Sequence, residues 1–393
     1  MLVLRPRRGA IAPDPVDVSA YFESDDIARA RRFGRPQLAL HAATAIVQTG
    51  VLAAFARCAR RLPGGAEAAN GTAHPLRAAT GVGVGLTLAV ELAPLPLRAA
   101  ARVRARAAGL STQSWRGWAG DLLKGGALGL ALNAAAAPLG VALMRRYPRG
   151  WWLPAAGVAV AGAGTLTFLS PVVLDPLFNR FTPLPAGAVR EAVLDLAKRA
   201  GVSVREVYEV DASRRTTAAN AYVTGLGATK RVVLFDTLLR ELTLEETRLV
   251  VAHELAHVRH RDVPRGLAHL ALSAPAGMYA VAQLTRRLDR SGSRPASAAS
   301  LPALVLSLGF VSAAVGSLAS ALSRAVERRA DTFSLTLTDA PEPFVSFERR
   351  IVAQNLIDPD PPRWLVALMG THPPTIERIG IARAYARGVR TSG

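Results

Sequence analysis

A chain of 393 residues has room for two or three ordinary domains, yet half of this one is apolar and only a fifth is charged, with a mean hydropathy of +0.22, a balance that points into a membrane. The formal charge of +19 is almost all arginine, scattered through every polar segment with no stripe of interleaved aromatics, which argues against nucleic-acid binding. The single cysteine, Cys58, excludes an intrachain disulfide and a cysteine-based zinc cluster.

The chain opens on "MLVLRPRRGAIAPDPVD", which turns basic and proline-bearing at once and lacks the apolar core of a cleaved signal, so the first span is expected to be retained. Residues 1–36 are polar, acidic and then basic ("YFESDDIARARRFGRP"), and read as an interfacial helix ahead of that span. Six stretches are apolar for roughly 20 residues, enough to cross a bilayer as helices: 37–56, 78–97, 125–144, 151–172, 264–284 and 301–322. A glycine-rich loop is expected at 62–75 and a flexible linker at 290–300. With six spans, the N-terminal segment, the loop at 98–124, the segment 173–263 and the C-terminal tail share one side. The first two carry Arg5, Arg7, Arg8, Arg29, Arg31, Arg32 and Arg35, then Arg98, Arg102, Arg104, Arg106, Arg116 and Lys124. The opposite loops are poorer in basic residues, so the positive-inside rule puts the heavier side in the cytoplasm. Glu91, Asn133 and His269 fall inside spans and either line a polar interior or contact another helix.

Residues 173–263 read as a small α/β unit. "AGAVREAVLDLAKRAGV" is an amphipathic helix ending at glycine, and "REVYEVDAS", "ANAYVTGLG" and "KRVVLFDTLL" have the apolar, β-branched pattern of three strands. "LTLEETRLVVAHELAHVRHRD" opens with Thr243 and Glu246 at capping-box spacing and continues as a helix. That helix puts His253 and His257, one turn apart, on one face, where both imidazoles can address one metal ion. Glu254 lies about 100° further round, within reach of a metal-bound water as its general base.

A catalytic zinc takes three protein ligands and keeps one open position, so a third ligand is needed. His260 lies on roughly the same face but about 10 Å along the axis from His253, and reads as a neighbouring or surface histidine. "SRAVERRADTFSL" offers Glu327 and Asp331, again four apart and just past the last span. Glu327 can close the ligand set, and Asp331 can accept a hydrogen bond from a ligand histidine and fix its tautomer. The same two acids read equally well as a solvated pair among Arg324, Arg328 and Arg329.

At this point the chain resembles the integral-membrane zinc metalloendopeptidases of the type I CAAX prenyl protease family. "STQSWRGWAGDLLKG" (111–125), "PLFNRFTPLP" (176–185), "NAYVTGLGATKRVVLFDTLL" (220–239), HELAH, "SRAVERRADTFSL" and "THPPTIERI" (371–379) look like that family's signatures in the family's order. The resemblance implies one zinc ion per chain on His253, His257 and Glu327, with Glu254 as general base and Asp331 orienting a ligand. It also implies an exposed strand at Asn220, Ala221 and Tyr222 along which an extended substrate pairs, and His372 and Arg378 steadying the oxyanion. Ala256 stands where many relatives carry glycine, and the six spans compare with seven in eukaryotic members.

The expected fold is mainly α: a polytopic helical bundle of about six spans, enclosing a chamber in family members, with a cytoplasmic-face zinc metalloprotease domain that contains a small β-sheet. The expected divisions are a polar segment (1–36), four spans (37–172), the subdomain with the HELAH helix (173–263), two spans (264–322) and a C-terminal stretch with the third ligand (323–393). Expected partners are a membrane-associated or lipidated peptide or protein and membrane lipid, with no nucleic acid, and the alanine-rich, arginine-for-lysine composition suggests a bacterial cytoplasmic membrane. Alternative readings are a heat-shock-type quality-control metalloprotease and a non-catalytic, signal-transducing relative.

Overall fold

The computed structural model describes residues 9–59, 74–225, 230–290 and 297–392. The loop expected at 62–75 and the linker at 290–300 fall mostly on 60–73 and 291–296, outside the described residues. The chain begins with α1 (Ser24–Arg57), α2 (Pro75–Leu92), α3 (Leu95–Ala107), α4 (Trp115–Arg146) and α5 (Trp152–Leu169). The polar stretch expected as an interfacial helix ahead of the first span is helical from Ser24 and forms the first three turns of α1, continuous with the span. Pro36 has no N–H for the carbonyl four residues back, Arg32 O; Arg104 Nη2 of α3 meets that oxygen at 3.3 Å. The second apolar stretch breaks between α2 and α3, with Pro94 as the N-cap and Pro96 in the first turn. α5 runs on through a π-helical turn at Ser170–Leu174 into α6 (Asp175–Phe178).

Small residues bring the membrane helices together. At Gly83 of α2 a Cβ would stand 2.6 Å from the Cβ of Ala137 on α4, so only glycine permits this approach. Around it Val82, Leu86, Val141, Met144, Trp151, Val281, Leu301 and Leu304 form one apolar cluster. Glu91 pairs with Arg98 at 2.6 Å, and Asn133 Nδ2 donates to Gly129 O of its own helix at 3.0 Å.

The α/β unit follows: β1 (Phe181–Pro183), α7 (Ala188–Arg199), β2 (Glu206–Val210), β3 (Ala221–Thr224), β4 (Arg231–Phe235), α8 (Asp236–Glu241) and α9 (Leu244–Arg259). The sheet order is β1-β2-β4-β3, with β2 and β4 parallel and the other pairs antiparallel. Three strands match the sequence expectation, β1 is additional, and β3 is an edge. One core joins Val207, Ala221, Val232 and Leu234 of the sheet to Leu196 of α7 and to Val251 and Leu255 of α9. Each buried valine or leucine among them contributes about 1.5–3 kcal/mol, which fixes α9 against the sheet.

The remaining helices are α10 (Asp262–Leu288), α11 (Leu301–Thr338), α12 (Pro341–Asn355), α13 (Arg363–Met369) and α14 (Thr375–Ser392). Among the described residues five helical stretches are long and apolar enough to cross a membrane: Ser24–Arg57, Pro75–Ala107, Trp115–Arg146, Trp152–Phe178 and Ala298–Thr338. The sixth expected span is the unbroken α10, packed against α5 and α11, but Arg265, His269, Pro275 and Gln283 leave it less apolar than those five. α11 is 38 residues long, so its apolar first half is continuous with a polar second half that carries Glu327 and Asp331. The N-terminal segment also joins this region: Asp14 N donates to Gly380 O at 3.1 Å, and Phe22 shares a core with Leu249, Leu335, Phe344, Ile379 and Ile381.

Candidate active site

The site is built on α9, whose ends are fixed by different devices. At its start the capping box is complete: Glu246 N donates to Thr243 Oγ1 at 3.2 Å and Thr243 N to Glu246 Oε2 at 2.9 Å. The other carboxylate oxygen of the buried Glu246 accepts from Ser346 Oγ (2.8 Å) and Arg350 Nε (3.3 Å), which clamps α12 onto α9. Burial alone would raise the Glu246 carboxyl, but the Thr243 amide, Ser346 and Arg350 hold it below the usual range. At the far end His260 caps the helix with its ring 5.7 Å from that of Phe333, away from the cluster of acids and histidines. Arg261 then takes a left-handed conformation (φ 55°) and turns the chain sharply into α10.

That turn returns Asp262 to His257, whose Nδ1 lies 3.0 Å from Asp262 Oδ2. On the other histidine, Nδ1 of His253 lies 3.0 Å from Asp331 Oδ1. Each carboxylate assigns the Nδ1 proton, so both Nε2 atoms turn lone pairs inward, 3.3 Å apart. Glu327 faces the same point, with Oε2 3.2 Å from His253 Nε2 and Oε1 3.8 Å from His257 Nε2. Two donors each about 2.0 Å from a tetrahedral zinc ion stand about 3.3 Å apart, so these three side chains fit that ion. Without a cation the arrangement is repulsive, and the acids demand positive charge there in some form: burial acts to lower the His253 pKa, yet Asp331 and Glu327 raise it to about 10.

Glu254 lines a cavity of about 140 Å³ beside His253, together with Asn220, His372, Arg378 and an apolar wall of Leu238, Leu249, Val250, Phe344 and Phe347. Burial pushes its carboxyl above the usual range while His253 and His257 pull it down. His372 is brought in by the turn after α13, where Arg324 Nη1 donates to Val366 O (2.7 Å) and Gly370 O (2.6 Å). Its Nε2 is 3.3 Å from Glu327 Oε2, and its side chain remains 62% exposed. Arg378 is committed elsewhere: Nε and Nη2 donate to Asp331 at 2.9 and 2.6 Å, and Nη1 pairs with Glu348 Oε1 at 2.6 Å. All three of its nitrogens face carboxylates, so Arg378 acts on the cavity through Asp331 and His253.

Ala221 and Tyr222 lie in the edge strand β3, and Asn220 leads into it. Phe235 N donates to Asn220 O at 3.0 Å, so by antiparallel alternation the main-chain groups of Ala221 and Val223 point to the free edge. Asn220 Oδ1 covers the Ala221 amide at 2.8 Å, and the Ala221 carbonyl and both groups of Val223 have no main-chain partner among the described residues. Sequence reasoning missed Asp262, Glu348 and Arg329, which pairs with Asp262. The signal for Glu348 was an acid in the buried stripe Phe344, Val345, Glu348 and Val352 of α12.

Comparison with known proteins gives the chain's family and fold. Residues 183–386 match peptidase family M48, and residues 13–180, which carry α1 to α5, match the CAAX prenyl protease N-terminal region of five membrane helices. The uncharacterized metalloprotease YhfN of Bacillus subtilis is 35% identical over 278 residues, 69% of this chain and 65% of that one. A CAAX prenyl protease 1 homolog of Oryza sativa is 29% identical over 214 residues, 53% of this chain and 50% of that one. The chain thus aligns with less than two thirds of the length of either relative. The crystal structure of S. mikatae Ste24p superposes with a TM-score of 0.76 at 20% identity, covering 94% of this chain and 91% of that one, and so shares the fold. With five membrane-capable helices and a match to the family model over residues 183–386, this chain is an integral membrane protein and belongs to peptidase family M48.

Proposed function

We propose that this chain is a zinc-dependent endopeptidase, CAAX-prenyl-protease-like, that cleaves membrane-associated or lipidated peptides. The observation that carries the reading is the convergence of His253 Nε2, His257 Nε2 and the Glu327 carboxylate on one point, with Glu254 beside it. His253, His257 and Glu327 would hold one zinc ion, with Asp331 and Asp262 fixing the two imidazoles. When bound, the ion supplies Lewis acidity, bringing the pKa of a coordinated water toward about 7 and polarising the scissile carbonyl.

The chain's own residues do the rest. Glu254, desolvated and beside the ligand set, takes the proton of the attacking water and passes it to the leaving amine. His372 is the exposed imidazole nearest Glu327 and donates to the developing oxyanion. The substrate lies extended along β3, and main-chain pairing makes recognition largely independent of its side chains. The apolar wall of Leu249, Val250 and Phe347 takes an apolar side chain next to the scissile bond.

The arginine distribution favours a catalytic face in the cytoplasm of a bacterial cell. Packing of residues 9–23 onto α14 supports an N-terminus on that same face.

The test is metal content and peptide cleavage of purified protein in lipid nanodiscs, wild type beside Glu327→Ala and Glu254→Ala. One zinc per chain in wild type, loss in Glu327→Ala, and a folded, zinc-loaded but inactive Glu254→Ala are expected. Undiminished cleavage by Glu254→Ala would overturn the mechanism.

A further inference from the structure

The segment between α12 and His372 is tied to two membrane helices, each near the end of its apolar stretch. Asp358 pairs with Arg31 of α1 at 2.8 Å, and the backbone oxygens of Val366 and Gly370 accept from Arg324 of α11. Arg31 precedes the apolar stretch beginning at 37 by six residues, about 9 Å along a helix, and Arg324 follows the stretch ending at 322 by two residues, about 3 Å. The headgroup region on each side of a bilayer is about 5–8 Å deep, so both anchor points fall within or beside it.

The side chains on this segment suit that depth. Trp364 is 62% exposed, Met369 61% and Leu368 53%, an apolar face on a short helix whose other side packs on α11. A soluble surface would leave such a face in water, whereas tryptophan and aliphatic side chains are stabilised at the boundary of headgroups and acyl chains. Arg32 and Arg35, exposed on the adjoining turns of α1, have no carboxylate partner among the described residues and supply positive charge at the same level.

We propose that α13 is a membrane-interface anchor, lying in the leaflet on the protease side with Trp364, Leu368 and Met369 among the lipids. Because α13 continues through Gly370 into His372, lipid beneath it bears directly on the loop that carries that imidazole into the cavity.

The test uses the full-length, zinc-loaded chain with Cys58→Ser and a nitroxide at Leu368→Cys or Trp364→Cys, in nanodiscs of phosphatidylcholine and phosphatidylglycerol. Glu245→Cys, at the start of α9, is the aqueous reference. Collision with oxygen should exceed collision with a water-soluble nickel chelate severalfold at 364 and 368, with the reverse at 245. Chelate access at both positions would overturn the proposal by showing that the face borders water, bulk or internal. Low access to both quenchers would overturn it equally, because protein, such as a second copy, then covers the face. Met369→Cys supplies the reading if either label perturbs folding.

Discussion

The two histidines of α9 present the same inward geometry but are held from behind by unlike surroundings. Behind His253 stands a sealed series of charges: Asp331, fully buried, then Arg378, then Glu348 at 1% exposure, contributed by α11, α14 and α12. Behind His257 stands Asp262, its side chain 14% exposed, with the buried Arg329 beyond it, at the turn between α9 and α10. The first arrangement ties an imidazole to the packing of three helices, while the second rests on one turn braced by Arg329 of α11. The site is therefore held most firmly behind His253, by helices far along the chain from the HELAH motif.

The largest effect should come from removing the charge at the centre of the sealed series. Arg378→Ala would leave Asp331 and Glu348 as two buried carboxylates without their cation, and breaking such a pair costs about 3–5 kcal/mol. A drop of that size in unfolding free energy, with loss of zinc, is expected. Unchanged stability would show that the two acids are already relieved by some other group. Arg329→Ala should cost less, because one carboxylate and not two loses its cation, and Asp262, 14% exposed, can recruit water.

A pH experiment sharpens the same point. Burial pushes the Glu348 carboxyl up from 4.5 to about 7, against the pull of Arg378. Between those values the folded protein keeps a proton that the unfolded chain has released. This group's contribution to stability is therefore greatest at low pH and falls as pH rises toward 7, by at most about 1.4 kcal/mol per pH unit. Comparing metal-free wild type with metal-free Glu348→Gln isolates it: the variant should lack that decline. Parallel pH curves for the two proteins would show that Glu348 is ionised throughout.

Next in size are the two orienting carboxylates. Asp331→Asn and Asp262→Asn each keep the shape and lose the anion, and loss of such a partner weakens metal binding by about 10–100-fold. The comparison predicts the greater loss for Asp331→Asn, because Arg378 then faces an amide that cannot neutralise it. Zinc competition titrations give both constants, and equal losses would erase the distinction between the two sides.

The sequence was most legible where meaning is local. The strands, the capping box of Thr243 and Glu246 and the one-turn spacing of His253 and His257 are all written within a few residues, and the fold reproduces them. β1 was not legible: "FTP" has neither length nor pattern, and exists as a strand only because it pairs with Tyr208 to Val210 of β2. Asp262 stood in plain sight at the end of the motif, but its role requires the left-handed turn at Arg261, which periodicity does not encode. Glu348 acquires its partner only when α14 packs on α12. Where the reading did reach across the chain, to Glu327, local pattern left two answers open, and the resemblance to a known family chose between them.

The smallest effect tests whether stability and site geometry can be separated on α9 itself. Thr243 lies at the N-terminus of α9, on the far side of Glu246 from both histidines, and its side-chain oxygen accepts from Glu246 N in the first turn. Thr243→Ala removes one cap hydrogen bond and should lower stability by about 1 kcal/mol. It leaves the contacts of His253 and His257 with Asp331 and Asp262 intact, so the zinc constant should stay at the wild-type value. If that constant shifts with the cap, the two ends of α9 are coupled through the clamp of Ser346 and Arg350 on Glu246, and α12 then holds the helix of His253 and His257 by two routes, through Glu246 as well as through Glu348.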